Sequence, residues 1–483
     1  MKIQHTFRQL KSSVSAKRYI YCVLVMFIAT SLSSCKKFLD QTSPNDVAQE
    51  NMFQDANSLE SARIGMYNTL QNVYYYGGYF PLMVDAYSDN GATGGYDSPD
   101  VNELGDKTLT SANIYVQNTW IAIYNTIYTA NQILANVDAI DDPTLSDEIR
   151  NDIKGEALAI RALAHFDLLR MFGEHWNLAS EYGIPVVKQV VEPTTFIGRS
   201  SVADSYDAIT GDLVEAQNLI QNDDYRSDPA AFKGAMFMTL NAVNALLARV
   251  YLYKKDFAQS AGYATDVIEA GYASLLDAGS FNQIYTSKLS AEAVFELVFN
   301  GQDRSQYNAA TYARPDALRS EVLFLAAEDL RFFFESRPVD PRGSLVDFVN
   351  NDLSIEPDGR TQKYRGEDFQ DNDALVIRIA EMYLIRAEAR GLQGGGLDDM
   401  NLIRENRGLP AYATDDFDVP GLYELALAEE RRAELNFEGH RYFDLARLQK
   451  VQEILGEEVL PVFPIPLREV TATNGVITQY PGY

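Results

Sequence analysis

Apolar residues return every three or four positions over long stretches of this chain, the spacing of one face of a helix. Leu59, Ala62, Met66, Tyr67 and Leu70 predict a helix over residues 57–73. Trp120, Ile123, Tyr124, Ile127, Ile133 and Leu134 predict another over 114–140, and Ile149, Ile153, Ile160, Leu163 and Leu168 a third over 147–172. Thr144 or Ser146 is placed to cap that third helix and Gly173 to end it. Helices follow over 202–220, 236–253 (stripe Leu240, Val243, Leu247, Val250) and 257–270 (Phe257, Ala261, Ala264, Ile268). Leu375, Ile379, Tyr383 and Ala387 extend the pattern over 374–392 up to a Gly394-Gly395-Gly396 stop, and 398–407 makes a short helix closed by Gly408 and Pro410.

Between these segments the period fails. Residues 74–113 are a long stretch rich in Tyr, Gly and short polar residues, 182–198 reads as an extended crossing, and 300–314 and 337–373 read as loops. Val294 to Phe299 fits a short strand. Loops this long in a compact domain are usually functional or disordered, and Tyr among small polar residues is a recognition composition. Helices 236–253 and 257–270, joined at Lys254-Lys255-Asp256, resemble a tetratricopeptide pair, with Ala where helices cross closely. No 34-residue period runs through the chain, so the fold expected is mainly α, a divergent array of helix pairs with long irregular loops.

Residues 1–34 stand apart. Lys2, Arg8, Lys11, Lys17 and Arg18 precede a short apolar run from Tyr19 to Thr30, then Leu-Ser-Ser-Cys at 32–35. That is the pattern of an export leader, its run too short to span a bilayer, which needs about 20 residues. The end resembles a bacterial lipobox, so Cys35 is the expected lipidation site and acyl chains the anchor; a leader with a coincidental Cys is the plainer reading. The other Cys, Cys22, lies inside the leader, which leaves neither disulfides nor Cys-based metal sites in the mature chain. Losing the leader takes the net charge from −27 to −32, which argues against nucleic acid.

No GxSxG, GxxxxGK[ST], HExxH or EF-hand pattern occurs, and His165, His175 and His440 are too scattered for a metal set, so no cofactor or metal is expected. The chemistry-bearing stretch that remains is 429–448, EERRAELNFEGHRYFDLARL. If 423–438 is helical, Glu430, Glu434 and Glu438 share a face, and two carboxyls about 5–9.5 Å apart in an open cleft would suit a glycosidase. Arg431, Arg441 and Arg447 stand three residues from Glu434, Glu438 and Asp444, and ion pairing lowers a carboxyl pKa, the wrong direction for a general acid. These residues therefore read as an ion-paired clasp, with Arg378, Arg386 and Arg390 as further partners and Gly439 as a break between two helical pieces.

Several stretches, in this order, resemble the SusD/RagB family of outer-membrane nutrient-binding lipoproteins. They are Cys35-Lys36-Lys37-Phe38-Leu39-Asp40, KGEALAIRALAHFDLLRMFG at 154–173, IRIAEMYLIRAEAR at 377–390, NLIRENRGLP at 401–410, the 429–448 stretch, and the tail from FPIP at 463–466 to QYPGY at 479–483. The resemblance implies a leader at 1–34, a lipid-anchored tether at 35–50 and one SusD-like domain at 51–483, with an N-terminal part at about 51–230 and a C-terminal part at about 275–483. It further implies a non-enzymatic protein at the bacterial cell surface that captures oligosaccharide, or in some branches peptide, for a SusC-like TonB-dependent transporter. The family's ligand residues vary, so none transfers by motif, and Trp120 and Trp176 both suit structural positions.

A ligand site must then be argued from chemistry. Sugars need an aromatic face for their C–H side and Asn, Asp or Arg for their hydroxyls. Two loops hold both: 85–102, with Asp89, Asn90, Tyr96 and Asn102, and 300–314, with Asp303, Arg304, Tyr307, Asn308 and Tyr312. They are expected to meet in space. An interaction scaffold on the helix pairs is the competing reading; it would show apolar grooves and no aromatic loop site.

Overall fold

The 26-residue helix Asp147–Phe172 is buried along most of its length. Ser146 caps it, its hydroxyl accepting from Ile149 N at 3.2 Å, and Asp147 and Glu148 in the first turn and Arg170 in the last suit the helix dipole. The computed structural model describes residues 53–192, 194–220, 234–313, 319–347, 359–365 and 371–483; the leader, Cys35 and the tether lie outside the described residues.

Around this helix the chain lays down an array in which each member packs on the next: Ala56–Leu70, Ile114–Asn136, Asp147–Phe172, Val202–Leu219, Leu240–Lys254, Phe257–Ala270, Ile379–Arg390 and Gly396–Asn406. Apolar faces fill the interior, and buried ion pairs fix the neighbours. Arg63 donates to Glu156 at 2.6 Å, Arg161 to Asp212 at 2.7 Å, and Arg249 to Glu381 at 2.7 Å, each pair crossing between helices. Gly155 lies where the 147–172 helix meets the end of 202–219; a Cβ there would stand 2.5 Å from Ile220 Cγ1. The Leu240–Lys254 and Phe257–Ala270 pair turns at Lys255, with φ 62°, and closes with Tyr251 stacked on Tyr263 at 5.7 Å and Ser260 donating to Ala248 O.

Several expectations need correction, among them the 300–314 loop, which holds the short helix Tyr307–Thr311. Residues 74–113 are not one loop: they hold helices Tyr79–Ala86 and Pro99–Gly105 and a strand, Gly91–Thr93, paired antiparallel with Phe324–Ala326. Lys107 closes this segment, its ammonium donating to Ala86 O and Gly91 O. Residues 374–378 are a strand, Ala374–Arg378, paired with Ala293–Leu297, and the helix begins only at Ile379. The apolar spacing runs unbroken through both, and a partner strand some 80 residues earlier decides where one becomes the other. Among the described residues, sheet structure is limited to two-stranded antiparallel ladders.

Candidate ligand surface and the charged seam

The 429–448 stretch forms two helices, Leu422–Leu435 and Arg441–Arg447, broken at 436–440. Gly439, with φ 77°, sits in that break; a Cβ there would be 2.8 Å from Pro81 Cα, so the turn packs directly on the Tyr79–Ala86 helix. Glu434 accepts from Arg342 and Arg378 at 3.1 Å and from Arg407 at 2.8 Å. Glu438 accepts from Lys363 and Arg378, both at 2.8 Å, and Glu430 from Arg342 at 2.7 Å and Arg404 at 3.2 Å. Glu292 joins from the Ala293–Leu297 side, accepting from Arg378 at 3.0 Å and Arg407 at 2.7 Å.

The clasp exists; of the pairs that local spacing indicates Arg447–Asp444 forms, and the other arginines take different partners. Arg431 and Arg447 both hold Asp444, Arg441 holds Asp89, and Arg386 and Arg390 hold Asp399. Burial alone would raise the Glu434 carboxyl, but Arg407 and Arg378 outweigh it and hold it well below the usual range. A permanently charged, enclosed carboxylate is no general acid.

This seam also takes up several residues proposed for ligand contact. Asp89 lies between Arg441 (2.7 Å) and Arg432 (3.2 Å), and Asn90 accepts from Arg432 Nε at 2.8 Å and donates to Asp85 at 3.0 Å. Tyr307 stacks on Tyr364 at 4.5 Å and donates to Tyr76 O at 3.0 Å; Asn308 donates to Tyr364 O at 2.8 Å; Tyr312 is covered by Arg360 and Arg365. All five are buried. They are corrected to structural roles, because the segments read as loops are tied into the core by pairing partners far along the chain. Tyr96, Asn102, Asp303 and Arg304 remain at the surface, with Asp303 and Arg304 in a tight turn closed by Asn300 N donating to Asp303 O at 2.8 Å.

Leu323, which belongs to neither segment, bridges the two: Leu323 N donates to Ala310 O at 3.0 Å and Leu323 O accepts from Gly94 N at 2.6 Å. Beside that junction stands an aromatic cluster that periodicity did not single out. Tyr79 lies 5.3 Å from Tyr74 and 5.1 Å from Tyr115 between ring centres, and Tyr74 and Tyr115 are 6.1 Å apart. These three are half-buried, whereas Tyr96 is 47% exposed. Burial first, then the Tyr74 and Tyr96 phenols, raise Tyr79; Tyr115 is raised by burial and by Tyr79, Tyr74, Tyr96 and Asp100. The cluster is thus a group of hydroxyls and ring faces, with Tyr79 and Tyr115 held neutral, and with Asp100 at its edge, Asp100 Oδ1 accepting from Ile114 N at 2.8 Å. Ring faces beside hydroxyls and a carboxylate suit a polyhydroxylated ligand. The available signal was the Tyr-rich 74–79 run; Tyr115, one residue into a helix, carried none.

Among the described residues, no group of three or more His, Cys, Asp or Glu side chains is placed to hold a metal ion, and no helix is long and apolar enough to cross a membrane.

The comparisons agree with this architecture. Residues 37–252 match the SusD-like family model described as starch-binding and associating with the outer membrane, and residues 348–460 match the SusD family model. "SusD-like protein P25" of Formosa agariphila is 24% identical, the match covering 93% of this chain and 96% of that protein. "SusD-like protein P2" of the same organism is 23% identical over 97% and 100%. A structure described as a laminarin binding SusD-like protein superposes with a TM-score of 0.75 at 23% identity, covering 89% of this chain and 100% of that one. A SusD-like carbohydrate binding protein from Bacteroides vulgatus gives 0.68 at 21%, over 82% and 84%. The chain belongs to the SusD/RagB family. Its families are outer-membrane associated and carbohydrate-binding.

Proposed function

We propose that this protein captures oligosaccharide at the cell surface and passes it to a SusC-like TonB-dependent transporter, without acting on it chemically. Cys35 would carry the lipid anchor, residues 35–50 the tether, and 51–483 the binding domain. The observation that carries the reading is the tyrosine cluster: an exposed Tyr96 beside half-buried Tyr74, Tyr79 and Tyr115, with Asp100 at the rim. Rigid rings already packed on one another lose little freedom when a sugar stacks on them. The laminarin-binding relative supports a glycan as ligand. The buried, ion-paired state of Glu430, Glu434 and Glu438 supports a binding role over hydrolysis.

Isothermal titration of the chain truncated after Cys35, against a panel of β- and α-glucan oligosaccharides and short peptides, tests this. A glycan should bind, and Tyr96→Ala and Tyr79→Ala should each weaken it by about tenfold or more, the equivalent of about 1.4 kcal/mol. Binding untouched by both substitutions would remove the site, binding of peptides alone would move the protein to a peptide-capturing role, and turnover lost on Glu434→Gln would restore the glycosidase reading.

A further inference from the structure

A second cluster lies outside both the tyrosine surface and the charged seam. Glu296 belongs to the Ala293–Leu297 strand, and Asp373 immediately precedes the Ala374–Arg378 strand paired with it, so the ladder brings the two carboxyls together. Each has one oxygen committed. Glu296 Oε1 accepts from Leu289 N at 2.7 Å, and Asp373 Oδ1 from Phe299 N and Lys288 Nζ at 2.8 Å. The other oxygens, Glu296 Oε2 and Asp373 Oδ2, are buried and have no donor, and neither has Asn372 Oδ1. Glu296 is 1% and Asn372 6% exposed, and all three residues line one cavity of about 520 Å³ together with Tyr285, Tyr364 and Arg365.

Two carboxyls within hydrogen-bonding reach of each other, each with an unmatched buried oxygen, need positive charge between them. Of the neighbouring cations, Lys288 sits on the outer oxygen of Asp373 and beside Asp371, Lys363 is held by Glu438, and Arg365 lies over the Tyr312 ring at the cavity wall. Against Glu296, Asp371 and Asp373, Lys288 and Arg365 leave one negative charge, and neither cation donates to the two inner oxygens.

We propose that Glu296 Oε2, Asp373 Oδ2 and Asn372 Oδ1 bind a divalent cation of the calcium class at the head of this two-stranded ladder. An all-oxygen donor set selects a hard cation, and calcium takes six to eight oxygens with flexible geometry, so waters in the cavity complete the shell. Two carboxylates and an amide make the site, so no group of three acidic or imidazole side chains is needed. The ion would pin the segment leading into the 374–378 strand onto its partner. Burial, then the Asp373 carboxyl, also push Glu296 well above the usual carboxylate range in the ion's absence, so a shared proton is the competing occupant.

The test uses the purified protein stripped with EDTA. Calcium should bind with one ion per chain by titration calorimetry, and terbium should show emission sensitised by Tyr285 and Tyr364 that calcium displaces. Glu296→Gln and Asp373→Asn should each abolish both signals while melting in EDTA within a few degrees of the parent; Asn372→Ala should weaken calcium binding by about tenfold or more, the least that losing even an outer-shell partner costs a metal site. A parent protein that neither binds calcium nor changes its melting at ion concentrations on the order of 1 mM, the weak end of the range of extracellular calcium modules, overturns the proposal in favour of the shared proton. Binding that persists in all three variants overturns it in favour of a different site.

Discussion

Glu434 lies where the guanidinium groups of Arg342, Arg378 and Arg407 converge. With Glu292, Glu430, Glu438 and Asp340 on one side and these three Arg plus Arg404 and Lys363 on the other, the buried charges balance, five negative against five positive. Such a cluster adds little over an apolar core, yet removing one member leaves an uncompensated buried charge. Glu434→Gln is therefore expected to cost about 3–5 kcal/mol in urea unfolding. Glu429→Gln, whose partner Arg337 is likewise partly exposed, should stay within about 1 kcal/mol. Equal costs would mean that position in the seam does not matter. The identity of the clasp was readable from the 429–448 sequence, as were the Arg447–Asp444 pair and Arg378 as a partner of the Glu row. Arg342, Lys363 and Arg407 reach Glu430, Glu434 and Glu438 from separate segments, and nothing in the i, i+3 spacing announces them.

At the scale of elements, the stretches that carry the family resemblance are the ones that hold elements together. In 154–173, Glu156 and Arg161 reach the helices on either side, and in 377–390, Arg378, Glu381, Arg386 and Glu388 each pair with a different segment. Gly155 belongs to the same logic. Gly155→Ala gains about 1 kcal/mol of helix propensity, but its methyl would meet Ile220 Cγ1 at 2.5 Å, and overpacking costs about 1–3 kcal/mol. A net loss, seen as a lower melting temperature, is expected; a gain would show that the crossing of these helices has room to relax. Long periodic helices such as Asp147–Phe172 were legible because burial on one face dictates their spacing. The strand at Ala374–Arg378 and the ordered pieces of 74–113 were not, because long-range pairing decided them. The same pairing buried Asp89, Asn90, Tyr307, Asn308 and Tyr312 and left only Tyr96, Asn102, Asp303 and Arg304 of the candidate site at the surface.

For the molecule as a whole, buried titratable groups set the response to acid. His165 and His440 are pushed down to about 3 by burial, and burial holds His175 well below 6.5 with both ring nitrogens unpartnered. Each stays neutral in the folded state and gains a proton on unfolding anywhere below about 6.5, so its contribution is complete above that pH and is lost as pH falls toward 3. Asp85 runs the other way: burial pushes its carboxyl to about 6, so the folded state holds the extra proton between about 6 and 3.8 and regains stability there. Glu296, without a cation, acts in the same sense as Asp85. Glu381, which burial would raise but Arg249 holds at about 2, loses its contribution only below its ordinary 4.5. In protein stripped with EDTA, three imidazoles among these groups thus oppose two carboxyls between pH 6 and 4.5, a net of one proton, and stability should fall by about 1.4 kcal/mol per pH unit as the medium is acidified. Urea unfolding at constant m across this window measures it. His175→Gln removes one of the three imidazoles and should bring the slope close to zero, whereas an unchanged slope would mean that His175 is already protonated in the folded protein.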